Sequence, residues 1–227
     1  MGAPLTTEQL ECLLDCVVAH STHVLGVYPA DCVPVQCTTS SATGQPPYKI
    51  ELANDTSTAE RYQPLAANQH YCFVVNTHPN GAPGEHWLAF FVNGNTRQIE
   101  YFDSFRFPLA AYSHVYLAFQ SRNLLPLCVD ANTAGMLQSV TSTVCGHYCV
   151  AFLYWRAKHT KAPTEHFARN LMLTANASAN KRDALVVARL RAITTNHPCC
   201  STQLFGGRSV RSTPRASQTC CCKGSCI

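Results

Sequence analysis

The chain has 227 residues, of which 46% are hydrophobic and only 13% are charged, and its formal net charge is +4. This composition excludes an intrinsically disordered protein, and the length predicts one domain with or without appendages. No apolar run approaches the about eighteen residues of a transmembrane helix, and the N-terminus has no basic segment followed by an apolar core. We therefore expect neither a membrane span nor a secretory signal, a pattern typical of cytosolic or nuclear proteins.

The fourteen cysteines are predicted to be mostly reduced thiols. Disulfide frameworks belong to small, loop-rich secreted folds. Here several cysteines lie inside apolar helix or strand patterns, where a free thiol behaves as a small buried hydrophobe: Cys12, Cys16, Cys72 and Cys149. There is no Cys-x-x-Cys pair, and the Cys-x₃-Cys spacings match no paired zinc-ligand pattern. No metal site is predicted.

Helices and strands are both predicted along the chain. Thr6 and Gln9 form a capping box for a first helix, with Leu5 and Leu10 as its hydrophobic staple. Residues 37–64 are rich in Thr, Ser, Pro and Asn and are expected to be an insertion, with a short strand at 48–52. Periodicity then predicts a buried strand at 71–75, hairpin strands at 87–92 and 98–102, a helix at 109–122, a strand at 124–129, a central helix at 145–158 and an amphipathic helix at 180–193.

The hairpin is predicted to place a histidine opposite a carboxylate. Two strand-like runs flank Gly94-Asn95, and Gly-Asn is a known two-residue hairpin loop. With this loop, His86 lies directly opposite Asp103 on the same face of the sheet, with Cβ atoms about 5 Å apart. A carboxylate in that position fixes the tautomer of the imidazole and stabilises the imidazolium, which is half of a nucleophilic site.

A cysteine at the start of the central helix is the predicted nucleophile. Cys145 is followed by Gly146 and opens an apolar helix, where the dipole and unpaired amides stabilise a thiolate. Gly146 is expected to let a substrate approach the backbone amides. Gln138 is expected to donate an amide hydrogen to the developing oxyanion, together with the N–H of Cys145. The alternative for Cys145 is a buried core thiol, as for Cys149.

These motifs resemble those of the adenovirus endopeptidase (adenain) family, including the related Maverick/Polinton proteases. The matching motifs are Gly84-Glu-His86-Trp-Leu-Ala-Phe, Tyr101-Phe-Asp-Ser-Phe105 and Gln138 followed by Cys145-Gly, with flanking segments at 24–28, 73–77 and 170–176. SUMO proteases share the chain order His, acid, Gln, Cys, but the flanking segments favour the adenovirus type. The resemblance implies an α+β fold with a mixed central sheet and surrounding helices, and a papain-like site geometry in permuted chain order.

The resemblance also implies roles for the site residues. His86 would be the general base, Asp103 would orient it, Gln138 would serve the oxyanion hole and Cys145 would attack. Trp87 fits a role in covering the imidazole and excluding water, although it is equally well a core aromatic.

The resemblance further divides the chain into a protease domain at 1–198, interrupted by the 37–64 insertion, and a flexible, basic, Cys-rich tail at 199–227. The tail carries Arg208, Arg211, Arg215 and Lys223 with no acidic residue.

The implied activity is that of a viral cysteine endopeptidase, a monomer of the host nucleus and the virion. It would mature particles by cutting precursor proteins at (Leu/Ile/Met)-x-Gly-Gly sites. A SUMO- or ubiquitin-type deconjugating protease is the alternative, because it uses the same constellation and substrates that end in Gly-Gly. A non-enzymatic Cys/His metal-binding module is a third interpretation.

The resemblance implies no metal or organic cofactor but two activators, DNA and a basic cysteine-bearing peptide. A sequence-independent DNA contact is expected on the last helix, at Arg182, Arg189 and Arg191. Leu204-Phe-Gly-Gly207 before Arg208 has the form of a cleavage site, so self-cleavage there would release a cationic, cysteine-rich peptide. Cys128 is the expected thiol for a disulfide with that peptide. The alternative is that the Gly-Gly stretch is only a linker to an unrelated tail.

Overall fold

A computed structural model of the chain describes residues 3–18, 22–38, 49–52, 69–131, 135–167 and 178–195. The helices are α1 (Thr7–Val17), α2 (Ser113–Ser121), α3 (Cys145–Lys158) and α4 (Ala179–Thr194). The strands are β1 (Thr22–Tyr28), β2 (Val35–Thr38), β3 (Lys49–Leu52), β4 (His70–Asn76), β5 (Trp87–Asn93), β6 (Gln98–Phe102) and β7 (Cys128–Asp130). The predicted tail at 199–227 and most of the predicted insertion lie outside the described residues. Within the described part, every helix is too short or too polar to cross a membrane.

The central sheet has five strands in the order β1-β4-β5-β6-β7. The outer pairs β1–β4 and β6–β7 are parallel, and the inner pairs β4–β5 and β5–β6 are antiparallel. β2 and β3 form a separate antiparallel pair, so the strand predicted inside the insertion is present. The predicted α+β fold with a mixed sheet and surrounding helices is confirmed.

Apolar layers cover both faces of the sheet. Every residue of β4 is buried, and its side chains alternate between two core clusters. One cluster joins Cys72 and Val74 to helices α1, α3 and α4. The other joins Phe73 and Val75 to α2 and to the segment after β1. A strand with both faces buried reads as a continuous apolar run, as the sequence of β4 does.

The predicted start of α1 is confirmed in detail. Thr6 Oγ1 accepts from the N–H of Gln9 at 3.3 Å, and the Gln9 side chain accepts from the N–H of Thr6 at 3.0 Å. Leu5 and Leu10 are both buried, as a hydrophobic staple requires. A capping box of this kind satisfies two of the amide groups that a helix N-terminus leaves without intrahelical partners.

The predicted hairpin register is wrong by two residues. Ala89 pairs with Phe102 and Asn93 with Gln98, so the loop has four residues and His86 is not directly opposite Asp103. The Asn93 side chain accepts from the N–H groups of Asn95 and Thr96 in the loop. A two-residue turn of the primed type would need a positive φ at Gly94, but the loop residue with a positive φ is Arg97, at 58°. Gly94 is needed for a different reason, because a Cβ there would lie 1.9 Å from the carbonyl oxygen of Gln69.

Two predicted elements are interrupted. The helix expected at 109–122 is a 3₁₀ turn followed by α2, because Tyr112 between them leaves the helical region with φ −107° and ψ 82°. The strand expected at 124–129 is a 3₁₀ turn containing Pro126, followed by the short edge strand β7. β1 was not predicted as a strand.

A buried ion pair joins the C-terminal half of α3 to the middle of the sheet. The Arg156 guanidinium donates to both carboxylate oxygens of Glu100 on β6, at 2.5 and 2.6 Å. Its remaining nitrogen donates to the carbonyl oxygens of His159 and Ala162, just after the helix. Both partners of this pair are buried and bonded to each other through two hydrogen bonds, so removal of either would leave an uncompensated buried charge.

In the described part, the cysteines for which the expectation of reduced thiols holds include Cys72, Cys128, Cys145 and Cys149. Cys16, on α1, is disulfide-bonded, so the expectation was wrong for this residue.

Candidate active site

The His86–Asp103 pair forms where the inner strands β5 and β6 begin and end, respectively. His86 directly precedes β5 and Asp103 directly follows β6, and these ends meet because the two strands are antiparallel. His86 Nε2 and Asp103 Oδ1 are hydrogen-bonded at 2.6 Å, and both side chains are buried. The predicted pairing therefore exists as a diagonal contact, since a shift of two residues keeps a side chain on the same face of a strand.

Asp103 is held by three further hydrogen bonds. The N–H of Phe105 donates to Oδ1 at 2.9 Å, and the N–H of Phe107 donates to Oδ2 at 2.9 Å. The Tyr112 hydroxyl donates to Oδ2 at 2.8 Å. Burial, and then Asp103 itself, raises the pKa of Tyr112, so the phenol keeps the proton that it donates. The carboxylate is thus completely enclosed and has its acceptor positions used.

Two aromatic rings stack on the imidazole of His86. The Phe105 ring lies 4.7 Å away and the Tyr112 ring 5.8 Å away, both within 27° of parallel. Trp87, which was expected either to cover the imidazole or to be a core aromatic, packs against the core cluster that contains α3. The N–H of Thr77 donates to the His86 carbonyl, so the β4–β5 pairing extends through His86. Because neighbouring residues of an extended chain point in opposite directions, the side chains of His86 and Trp87 lie on opposite faces.

Cys145 is the first residue of α3, as the sequence predicted, and its side chain is buried. One turn later, the Cys149 thiol donates to the carbonyl oxygen of Trp87 at 3.2 Å, which fixes α3 beside His86. Because His86 Nε2 is bonded to Asp103, Nδ1 is the ring nitrogen left for the Cys145 thiol.

The imidazole is strongly basic in this setting. Burial lowers the pKa of His86, but the hydrogen bonds to Asp103 and Cys145 outweigh burial and raise the pKa to about 9. The ring therefore carries a proton at neutral pH. An imidazolium beside a thiol at a helix N-terminus favours the thiolate form of that thiol.

Gly146 lies in close contact with α1 inside the protein. A Cβ at this position would lie 3.1 Å from Leu10 Cδ2 and 3.4 Å from Leu5. The staple of α1 therefore packs against the residue after Cys145. The predicted role of Gly146, to admit a substrate to the backbone, does not account for this contact.

Gln138 is buried and held in one orientation. Its Oε1 accepts from the Ser104 hydroxyl at 2.6 Å, and its Nε2 donates to the carbonyl oxygen of Ser142 at 2.8 Å. Ser142 lies three residues before Cys145, and Ser104 directly follows Asp103. The amide nitrogen has a second hydrogen, which is the donor that an oxyanion hole would use.

Cys128 begins β7 at the edge of the sheet and is partly buried. Burial, and then Asp130, raises its pKa to about 12. A thiol with this pKa is protonated at neutral pH and reacts slowly in thiol–disulfide exchange. The role predicted for Cys128 stays a prediction.

Several site residues carried no signal in the sequence. Tyr112 lay inside a predicted helix, and Ser104 was part of a matching motif but was given no role. Arg182 was assigned to DNA contact, whereas its guanidinium donates to the carbonyl oxygens of Leu137 and Met136 at 2.9 Å. Among the described residues, there is no group of three or more His, Cys, Asp or Glu side chains arranged to hold a metal ion.

No family model matches the chain. It is 32% identical over 99 residues to the protease of human adenovirus D serotype 9. The resemblance to adenovirus proteases is confirmed. The match covers 40% of this chain and 47% of the adenovirus protein, so it spans about half of that relative.

Two solved structures are also similar to the chain. Both are of ChlaDub1 from Chlamydia trachomatis, with TM-scores of 0.39 and 0.37 and sequence identities of 19% and 18%. Each match covers 58% of this chain, and they cover 65% and 59% of the respective ChlaDub1 chains. At these TM-scores the likeness carries no argument about function.

Proposed function

We propose that the chain is a cysteine endopeptidase in which Cys145 is the nucleophile. The observation that carries the proposal is the 2.6 Å bond between His86 and a buried, fully hydrogen-bonded Asp103, next to a thiol at the N-terminus of α3. The similarity to an adenovirus protease supports the same assignment. A nucleophile, a base within reach and a third group that orients the base are the parts that covalent catalysis requires.

The proposed acylation step follows from these positions. The Cys145 thiolate attacks the scissile carbonyl carbon and forms a C–S bond, and the carbonyl oxygen takes the negative charge. The Cys145 N–H and the second Nε2 hydrogen of Gln138 stabilise this oxyanion. The C–N bond then breaks as the His86 imidazolium gives its proton to the departing amine, which leaves a thioester on Cys145.

Deacylation uses the same residues in reverse. Neutral His86 takes a proton from water, and the resulting hydroxide attacks the thioester carbonyl. The C–S bond breaks, and the carboxylic acid product leaves with its proton lost to solvent. Cys145 is then again a thiolate beside the His86 imidazolium. Asp103 keeps the ring oriented in both steps and stabilises its protonated form.

The proposed substrates are virion precursor proteins cut after (Leu/Ile/Met)-x-Gly-Gly, during particle maturation in the host nucleus and in the virion. Fluorogenic Leu-x-Gly-Gly-x peptides should be hydrolysed by the wild-type chain and not by Cys145→Ala. Absence of hydrolysis by the wild type, with and without DNA, would refute the proposal. Faster cleavage of SUMO or ubiquitin conjugates than of the peptides would favour a deconjugating protease.

DNA and a peptide from the chain's own tail are the proposed activators. Arg189 and Arg191 are exposed on α4 and support a DNA contact, whereas Arg182 is engaged within the protein. Activation by DNA should weaken steeply with salt, because phosphate contacts release counterions.

The peptide would be released by cleavage between Gly207 and Arg208 and joined by a disulfide to Cys128. Mass spectrometry of wild-type protein should find a chain ending at Gly207, and Cys145→Ala should remain uncut. A wild-type chain ending at Ile227 in active protein would refute self-cleavage.

A further inference from the structure

The segment that carries Gln138 is bound on one side by the residue after Asp103. The carbonyl oxygen of Ser104 accepts from the N–H groups of Leu137 at 3.0 Å and of Gln138 at 3.2 Å. The Ser104 hydroxyl donates to Gln138 Oε1. Since the carbonyl end of the amide is used by Ser104, its nitrogen end must point the other way, toward Ser142 and the start of α3.

On its other side, the same segment is bound by residues of the first two turns of α4. The Asp183 carboxylate accepts from the N–H of Ser139 at 3.2 Å and from the Tyr148 hydroxyl at 3.0 Å. The Tyr148 hydroxyl also lies 3.1 Å from the carbonyl oxygen of Leu137. Arg182 donates to that carbonyl and to the carbonyl of Met136. Backbone groups directly before and after Gln138 are therefore held by the side chains of Arg182, Asp183 and Tyr148.

Asp183 is the centre of this arrangement. It is a buried carboxylate that contacts both the segment itself and Tyr148, a residue of the nucleophile helix α3. Without it, the N–H of Ser139 would lack its acceptor, and Tyr148 would lose one of its two partners. The N–H of Ser139 would then be released, the segment would be held by Ser104, Arg182 and the Tyr148 hydroxyl at the Leu137 carbonyl, and the Gln138 amide would have more freedom relative to Cys145.

We propose that Asp183 is a positioning residue for the oxyanion hole, acting through Ser139 and Tyr148 on Gln138. The inference rests on the proposed function. Oxyanion donors are effective only when they are already aligned with the position where the charge develops. A displacement of about 1 Å can cost about 10²-fold in rate, so loosening this segment should lower kcat more than it changes KM.

Two reactions of Cys145 separate positioning of the oxyanion hole from general damage to the fold. Alkylation by iodoacetamide forms a C–S bond and expels iodide, with no oxyanion. A peptide aldehyde instead adds the thiol across its C=O bond, forming C–S and O–H bonds and an oxygen that the oxyanion hole binds. A loss confined to the second reaction and to hydrolysis identifies the oxyanion hole.

The experiment compares Asp183→Ala with Val187→Ala, a substitution in the buried face of the same helix whose side chain makes no hydrogen bond to residues 136–139. For Asp183→Ala, kcat should fall by about 30-fold or more and aldehyde affinity should fall in parallel. Iodoacetamide alkylation of Cys145 should stay within about twofold of the wild type. Val187→Ala should lower the melting temperature without this split.

A double variant tests the route through Gln138. Asp183→Ala combined with Gln138→Ala should be no slower than Gln138→Ala alone, because both act on one donor. Independent, multiplying losses would overturn the inference, as would an unchanged kcat in Asp183→Ala or equal losses of alkylation and hydrolysis. If Asp183→Ala does not fold, Tyr148→Phe is tested in its place, with the same pattern expected at smaller size.

Measurements on the wild-type chain distinguish failure of the proposed function from failure of the positioning role. If the wild-type chain does not hydrolyse peptides and Cys145 is not selectively alkylated, the proposed function itself has failed. If the wild type is active and Asp183→Ala matches it, only the positioning role has failed.

Discussion

The first two turns of α3 each carry a buried thiol, and the two thiols differ in what surrounds them. Cys145 is the first helical residue, next to the protonated His86 and the amide groups of the helix N-terminus. Cys149, one turn later, donates its proton to the Trp87 carbonyl, and burial followed by the charge of Cys145 raises its pKa well above the usual range. Since both are buried, position along the helix, and not exposure, separates a candidate nucleophile from a structural thiol.

This difference also shows how the structural thiol serves the candidate nucleophile. The bond from Cys149 to Trp87 joins α3 to the strand that begins directly after His86. It thereby sets the distance between the Cys145 thiol and the imidazole, although Cys149 itself takes no part in the proposed chemistry.

The largest expected difference between the two thiols is in activity, and it is measured by replacing each thiol in turn. Cys145→Ala should reduce peptide hydrolysis by at least about 10⁴-fold, because it removes the attacking atom. Cys149→Ser should keep activity within about tenfold, because the serine hydroxyl can still donate to the Trp87 carbonyl. Hydrolysis kinetics and mass-spectrometric mapping of alkylated cysteines measure both. Comparable losses in the two variants would remove the distinction between the thiols.

A second test lowers the pKa of His86, whose imidazolium interacts with the Cys145 thiol. In the wild type, the imidazolium is present below a pKa of about 9 and is lost as the pH rises through that value. Asp103→Asn replaces the charged acceptor that raises this pKa by a neutral amide, so the alkaline limb of kcat/KM should move to lower pH. We expect kcat to fall by about 10²- to 10⁴-fold, by analogy with loss of the orienting carboxylate in a serine triad.

Tyr112→Phe is the matched control for Asp103→Asn. It removes one of the four hydrogen bonds to Asp103 and keeps the ring that stacks on His86, so it should have a much smaller effect. An alkaline limb at the same pH in Asp103→Asn and the wild type would contradict the proposed role of the carboxylate.

The smallest expected effect concerns His147, which lies between the two cysteines on α3. Burial, and then Arg191, lowers its pKa to about 4. Between about pH 6.5 and 4 the unfolded chain binds a proton here that the folded chain does not. The free energy of unfolding should therefore fall as the pH falls, by at most about 1.4 kcal/mol per pH unit from this residue.

Urea unfolding of His147→Leu at several pH values measures this contribution. The pH dependence between about 6.5 and 4 should be shallower than in the wild type, whereas replacement of the exposed His114 by Gln should leave it unchanged. Equal slopes in the two variants would show that His147 is not the titrating group.

Features that depend on neighbouring residues were predictable from the sequence. The capping box at Thr6, the helix that begins at Cys145 and the strands β4, β5 and β6 all have local chemical signals, and each is present. The pairing of His86 with Asp103 was also predicted, although from the wrong loop. It survived because a two-residue shift preserves the face of a strand.

Features that depend on tertiary contacts were not predictable in this way. The four-residue loop follows from hydrogen bonds of the Asn93 side chain that compete with the expected two-residue turn. Tyr112 interrupts the predicted helix at 109–122, and its hydroxyl donates a hydrogen bond to Asp103. Arg182 reads as one more basic residue on an amphipathic helix, and only the fold brings it to a carbonyl 45 residues away in the chain.

The buried pair of Arg156 and Glu100 has a consequence for motion. It fixes the C-terminal half of α3 to β6, while the bond from Cys149 to Trp87 fixes the N-terminal half to β5. A helix held at one point can pivot or slide, whereas a helix held at both ends against one sheet can do neither without breaking a buried contact. Rapid changes in the distance between the Cys145 thiol and the imidazole must therefore come from His86 and the chain around it, and α3 is the stationary part.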